Sequence, residues 1–476
     1  MDKKIRKKRL VLLVILAIYV ATMLLHVYKP LPEHISYESP VYQVEADQVN
    51  FYYNLTGKKE KEKQFTEQIL KRTLEIINEA EDFIVMDVFL FNSYHNKNEE
   101  FPHITEKVTE ALIQKKREHP HMNIILISDE VNTSYQSHAT PEFEKMKKNG
   151  IPVVLTNMKP LRDSTPLYSG GWRMLFQWFG DKGNGWLPNG LAETAPDMTV
   201  RSYLKLFNIK ANHRKTIATE KTTLISSGNL HDASAYFTNT AYEVKGALIN
   251  DVLLSEKAAA DTRQKVAFPS AVREQTGKGK MHVQLLTEGK IAKAVNEEIT
   301  KAKKGEEIWL AMFYLADRDM IDALTKAANR GVEVKLILDT NKNSFGKKKT
   351  GLPNIPMSDE LKEDSKGKID IRWFAPEPEQ FHTKMIYIKK KDKGTIISGS
   401  ANYTSRNLNN FNLETDVKIT GPRSAAAIEE TEKYFQRIWK NEGAEYTTDF
   451  DKHYKKTAPI QRGVYTLQKL LHFTTY

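Results

Sequence analysis

Cysteine is absent from this 476-residue chain. That excludes disulfides, thiolate metal sites and cysteine nucleophiles, and leaves the compartment open. Long apolar runs are scarce too, and only Leu10–Tyr28 has the length of a membrane span. The histidines His95, His103, His119, His121 and His138 are scattered without metal-ligand spacing on a recognisable helix, so neither metal nor cofactor is expected. Tryptophan is rare, yet Trp172, Trp178 and Trp186 crowd into Thr165–Asn189. What remains is ordinary: 40% hydrophobic and 28% charged residues, the balance of a globular chain. Its length suits two lobes with separate cores.

The net charge of +11 points to anionic partners, but part of it sits at the very start. Lys3, Lys4, Arg6, Lys7, Lys8 and Arg9 precede the apolar run. Residues 1–9 therefore read as a cytoplasmic basic N-terminus and 10–28 as a single transmembrane anchor, with the rest exported. The run is longer than a signal-peptide core and no A-x-A site follows, so an uncleaved anchor is expected over a cleaved signal. Being apolar on every face, it does not suit a buried soluble helix. The remaining charge is mild, and fits anionic lipid or nucleic acid.

Beyond a proline-containing linker (29–48), apolar periodicity alternates between strand and helix, and the pattern occurs twice. Val49–Tyr53, Phe83–Phe91, Asn123–Ile127 and Pro152–Thr156 read as strands, with helices over Phe65–Ala80, Ile104–Lys116 and Phe143–Asn149. In the second half His282–Leu286, Ile308–Tyr314, Glu333–Leu338 and Asp370–Phe374 are strands, with helices over Ile291–Lys303 and Met320–Asn329. The expected fold is α/β: two pseudo-symmetric lobes with mostly parallel sheets, 49–250 and 281–442. A linker (251–280) joins them and a tail (443–476) follows, ending in GVYTLQKLLHFTTY, read as an amphipathic helix. Two stretches break the repeat. An aromatic insertion, 158–205, reads as a lipid-facing or cleft wall. Asn343–Lys368, rich in lysine, glycine and serine, reads as a loop at the cleft edge.

Each half runs into a short motif. Gln380–Glu414 reads QFHTKMIYIKKKDKGTIISGSANYTSRNLNNFNLE, and Asn212–Gly246 reads NHRKTIATEKTTLISSGNLHDASAYFTNTAYEVKG. In a strand, alternate side chains share a face, so His382 points with Lys384 and His213 with Lys215. Each strand is followed by a second strand, a Ser/Asn turn (Ser400 and Asn402; Ser227, or Ser226 beside it, and Asn229) and then a glutamate, Glu414 or Glu243. A titratable imidazole next to a fixed cation and small donors suits a phosphoryl group.

These residues resemble the phospholipase D superfamily, whose signature is H-x-K-x4-D followed by G-S-x-N, twice in a chain. Glu220 and Lys389 stand at the two aspartate positions, and Ser226-Ser227-Gly228-Asn229 replaces one G-S-x-N. The resemblance implies that His213 is the nucleophile and His382 the acid/base. Lys215, Lys384, Ser227, Asn229, Ser400 and Asn402 would then form the phosphate pocket, with Glu243 and Glu414 orienting the imidazoles. Asp129 and Asp339, ending equivalent strands, read as turn formers.

The reading is an anchored, extracytoplasmic enzyme that hydrolyses a phospholipid headgroup or transfers a phosphatidyl group, as cardiolipin synthases of this superfamily do. Those enzymes usually carry two N-terminal spans, and one is visible here. The phospholipid bilayer is the expected partner. An exported nuclease acting on nucleic acid and a catalytically silent lipid- or polymer-binding protein are the alternatives.

Overall fold

The computed structural model describes residues 3–452, apart from 98, 181, 261–265, 271, 273–276 and 345–346, together with residue 463. The tail helix read over 463–476 lies outside the described residues but for its first.

Two sheets define two lobes. The first, eight-stranded, runs in spatial order Glu62–Thr66, Val49–Lys59, Asn239–Val244, Thr223–Ser226, Lys215–Thr219, Phe83–Val88, Asn123–Ser128, Val153–Leu155. The second, nine-stranded, repeats that order from Met281–Thr287 through Thr415–Pro422, Lys393–Gly399, Lys384–Lys389, Glu307–Met312 and Glu333–Leu338 to Ile369–Phe374. The α/β class and the duplicated lobes are as the sequence implies.

The pairing differs from expectation: both sheets are mixed, not mostly parallel. Among the described residues, parallel strand pairs occur only where a helix intervenes, as from Phe83–Val88 to Asn123–Ser128 and from Glu307–Met312 to Glu333–Leu338. The motif strands follow one another through tight turns, and short connections force antiparallel pairing.

Central strands are largely apolar because both faces are covered. Phe83 and Val85 join a core shared between the lobes, while Ile84, Met86 and Val88 pack under the outer helices of lobe one. Trp309 and Ala311, against Ile308, Leu310 and Met312, repeat this in lobe two. This is period-two alternation with both faces buried.

Domain edges need correction. Within 29–48, Tyr42–Val44 forms a strand on the edge of the second lobe's sheet, so the chain touches lobe two before building lobe one. The stretch 251–280 opens inside a helix, Leu248–Ala259, whose Leu248, Ile249, Val252 and Leu253 fill the shared core. Thr447–Asp449, in the tail, closes the other edge of the second sheet. Asn343–Lys368 contains a helix, Asn354–Asp364, held by buried Met357 and Leu361.

The apolar N-terminal segment is a helix, α1 (Lys3–Tyr28), with an exposed apolar surface. The insertion contributes a second helix, α2 (Pro166–Leu175).

Candidate active site

The two motif histidines stand just before matching strands, at the edge where the lobes meet. The backbone joins the lobes there at two points, around Leu413 and around Thr238. The N–H of His213 donates to Leu413 O (2.9 Å), and that of Thr238 to Gln380 O (3.0 Å). Each motif is thereby pinned beside the other lobe's Ser/Asn turn.

The side chains follow this crossing. Nδ1 of His213 lies 3.0 Å from Oε2 of Glu414, which belongs to the second repeat. Nδ1 of His382 lies 3.0 Å from Oδ1 of Asn239, which belongs to the first. The backbone of Ser400 hydrogen-bonds the first ring and that of Ser227 the second. Matching phenylalanines wall the rings: Phe89 at 4.8 Å from His213 and Phe313 at 5.0 Å from His382, each just after the equivalent buried strand.

Lys215 and Lys384 are buried, and each donates to the carbonyl of its own histidine, at 2.7 and 2.8 Å. Burial and the pair of ammonium groups push both imidazoles well below their ordinary range. Burial brings Lys215 down to about 7, and burial together with Lys215 lowers Lys384 well below its usual value. Such a cluster of suppressed cations is relieved by an anion that makes their charged forms favourable again.

Ser227 and Ser400 superpose in role. Each hydroxyl accepts an N–H of the neighbouring strand, from Thr240 and Thr415, both at 2.9 Å. This fixes Ser227, not Ser226, as the counterpart of Ser400. Asn229 and Asn402 are likewise equivalent, and the amide oxygen of each is buried with no protein partner. Hydrogen-bonding capacity is thus unspent at two symmetric points.

Glu243 is a correction. Four residues beyond Asn239 on the same strand, it forms an ion pair with Arg72 (2.9 Å) and accepts from Tyr52. The register shows why: Ser226 pairs with Ala241 as Gly399 pairs with Asp416, so Asn239 and not Glu243 matches Glu414. The group against His382 is an amide, Asn239, and not a carboxylate. Sequence reasoning also missed Asn407, whose amide donates to Glu414, and Asp416, which accepts from the N–H of Ala401 at 3.1 Å. Asp129 and Asp339 are buried and accept from the backbone just ahead of each motif, Asn212 N and Phe381 N, both at 2.7 Å.

The departures at the signature's aspartate are structural. Glu220 accepts from the backbone N–H groups of Glu81, Asp82 and Phe83, at the far end of the strand from His213. Lys389 pairs with Glu307 and Glu432, both at 2.9 Å. Neither touches the histidines.

The arrangement provides two imidazoles with fixed tautomers, two buried cations and symmetric amides, a constellation for displacement at phosphorus. Residues 295–439 match the family described as cardiolipin synthase, phospholipase D-like domain. The fold is shared with phosphatidylserine synthase of Haemophilus influenzae (TM-score 0.60, 11% identity, covering 91% of this chain and 96% of that one). Less similar are polyphosphate kinase of Porphyromonas gingivalis (TM-score 0.45, 15% identity, 89% and 53%) and the phospholipase D family member Nuc of Salmonella typhimurium (TM-score 0.28, 21% identity, 36% and 98%). No curated protein matches the chain. Residues 295–439 are thus a phospholipase D-like domain by their family match, and lobe one repeats the strand order of that domain's sheet.

Proposed function

We propose that the protein is a membrane-anchored, extracytoplasmic phospholipase D-type enzyme. It hydrolyses glycerophospholipids or transfers their phosphatidyl group through a phosphohistidine. The observation that carries the chemistry is the unequal backing of the two rings: Glu414 behind His213, Asn239 behind His382.

A carboxylate against Nδ1 holds the proton there, leaves the lone pair on Nε2 and stabilises the positive ring formed on attack. His213 therefore attacks phosphorus, and the P–O bond to the leaving alcohol breaks as His382 gives that oxygen its proton. Water or a second alcohol then loses a proton to His382 and attacks phosphorus, and the P–N bond to His213 breaks. Lys215 and Lys384 meet the charge on the non-bridging oxygens. Phospholipid as substrate is supported by the cardiolipin synthase description of the matched domain and by α1, long and apolar enough to cross a membrane. The basic cluster before α1 supports an exported catalytic unit.

The test is the full-length protein on phosphatidylglycerol vesicles without added metal, beside His213→Ala. Phosphatidic acid lost with the histidine identifies a hydrolase, and cardiolipin a transferase. Unchanged lipid with cleaved nucleic acid would replace this reading with a nuclease. Neither product, with His213→Ala and His382→Ala silent in every assay, would leave a binding protein.

A further inference from the structure

α1 does not stand clear of the rest of the chain. Its last third packs along α2, in the insertion that precedes His213. A Cβ at Gly170 would sit 3.2 Å from the Tyr19 ring and 3.5 Å from Met23, so the two helices approach as closely as a missing side chain allows. The Tyr19 hydroxyl donates to Leu167 O. From the contacts on α1, and resting on the reading of α1 as an anchor, we infer that residues 166–179 enter the same bilayer. The catalytic unit is then docked on the membrane surface by two elements.

Depth supports this. At about 1.5 Å per residue, Met23 and Tyr19 lie roughly 7 and 13 Å below the end of α1 at Tyr28. Interfacial helices settle about 5–10 Å into the boundary between headgroups and acyl chains. α2 meets α1 at Met23, within that range, and at Tyr19, a few ångströms deeper.

Exposure supports it too. Leu167, Leu175, Phe176, Trp178 and Phe179 face outward, with Trp178 75% and Phe179 66% exposed. They lie on the segment that packs against α1, whose own apolar surface is unburied. An apolar surface beside a candidate span is suited to lipid, and indole rings suit the interface.

The opposite side of α2 is fastened to the protein. Arg173 holds Asp163 by two bonds, 2.6 and 2.7 Å, and Asp163 also pairs with Lys210 at 2.5 Å. The N–H of Asp163 donates to His26 O (3.0 Å) and Lys29 Nζ to Lys159 O (2.6 Å), forming a collar where α1 emerges. A few residues on, the Ser36 N–H donates to Glu288 (2.7 Å) and Tyr42–Val44 joins lobe two. The exit from the span is therefore stiff. The His–Lys cluster sits at a set height and orientation over the bilayer, which favours lipids drawn from the anchoring membrane.

The absence of cysteine makes the test direct, because a single introduced thiol is the only labelling site. Four full-length variants, Leu16→Cys, Leu175→Cys, Trp178→Cys and Lys433→Cys, carry an environment-sensitive dye in phosphatidylglycerol–phosphatidylcholine vesicles. Position 433, on the exposed face of a helix of lobe two, is the aqueous control. Dyes at 16, 175 and 178 should be quenched several-fold more than at 433 by lipids with acyl-chain nitroxides, and shielded from aqueous iodide. If 175 and 178 behave like 433 while 16 is lipid-quenched, α1 is a lone tether and the inference is overturned. If 16 is also open to iodide, the anchor and the inference fall together. Product formation by the same vesicles is scored separately, so a lipid enzyme with water-exposed α2 labels refutes the docking alone.

Discussion

Asn239 and Glu414 occupy the same position in the two repeats, and each meets the other lobe's histidine at 3.0 Å. Both fix a tautomer, but only Glu414 can carry a negative charge. Burial pushes the Glu414 carboxyl up to about 8, and the nearby lysines work against that rise. The symmetric fold therefore holds two chemically unequal rings.

The first prediction concerns Asn239→Asp. A carboxylate beside Nδ1 stabilises the charged ring, raising the pKa of His382 from its suppressed value. His382 donates a proton, so it is needed in its protonated form, and a raised pKa keeps that form to higher pH. The alkaline limb of kcat/KM should move upward. Asn239→Leu, lacking an acceptor, should lose roughly 10²-fold or more in kcat, within the usual worth of a positioned general acid. A pH–rate profile of the aspartate variant matching wild type on its alkaline side would contradict the assignment.

Glu414→Gln and Glu243→Gln separate the two glutamates that the sequence treats alike. Glu414→Gln should cost on the order of 10⁴-fold in kcat, comparable to losing the orienting carboxylate of a catalytic triad. Glu243→Gln should leave kcat within a factor of two. It breaks the pair with Arg72, which Glu79 and Glu75 also contact, so the stability lost should be about 1–2 kcal/mol. Steady-state kinetics beside urea unfolding decide it.

The contrast shows what could be read in advance. Buried strands before each motif were legible because both faces are covered, giving apolar runs such as Phe83–Met86 and Ile308–Met312. His213, Lys215, His382 and Lys384 were legible from a one-residue spacing that needs only the strand period. Asn239 was not, because its partner lies in the other lobe and its place depends on strand register, which spacing along the chain does not report. The parallel-sheet expectation failed for a related reason: helix–strand alternation covers only the first part of each repeat.

Lys389→Asp restores the residue of the superfamily signature and tests whether that position acts in catalysis. In this protein it would place a carboxylate between Glu307 and Glu432. Both glutamates are partly buried, which alone would raise them, but Lys389 and other partners hold them below their usual range. Lowered carboxyl values contribute stability above the unfolded value near 4.5 that fades as pH falls through the folded values. The variant should lose about 1–3 kcal/mol at neutral pH and show a weaker acid dependence of stability. Its kcat should stay near wild type, since Lys389 contacts neither histidine. A marked gain or loss of kcat in correctly folded protein would return the position to the chemistry.

The last prediction joins stability to the site. Between His213 and Lys215, Arg214 points into the layer between the lobes and pairs with Glu288 at 2.7 Å and Glu256 at 3.5 Å. Glu288 also accepts from the N–H of Glu414 (3.0 Å) and of Ser36 (2.7 Å), linking the first motif, the second repeat and the stretch after α1. Glu288→Ala weakens the pairing of a fully buried guanidinium and should cost about 3–5 kcal/mol. It also releases the backbone that aims Glu414 at His213, so kcat should fall even well below the melting temperature. Adding Arg214→Met together with Glu256→Gln removes the guanidinium and its remaining carboxylate partner, and should recover part of the stability, because no unpaired buried charge is left. The combined variant should not recover kcat, as the N–H of Glu414 still lacks its acceptor. Recovery of both together would mean that Glu288 supports the fold alone and that Glu414 is aimed by Ser400 and Asn407.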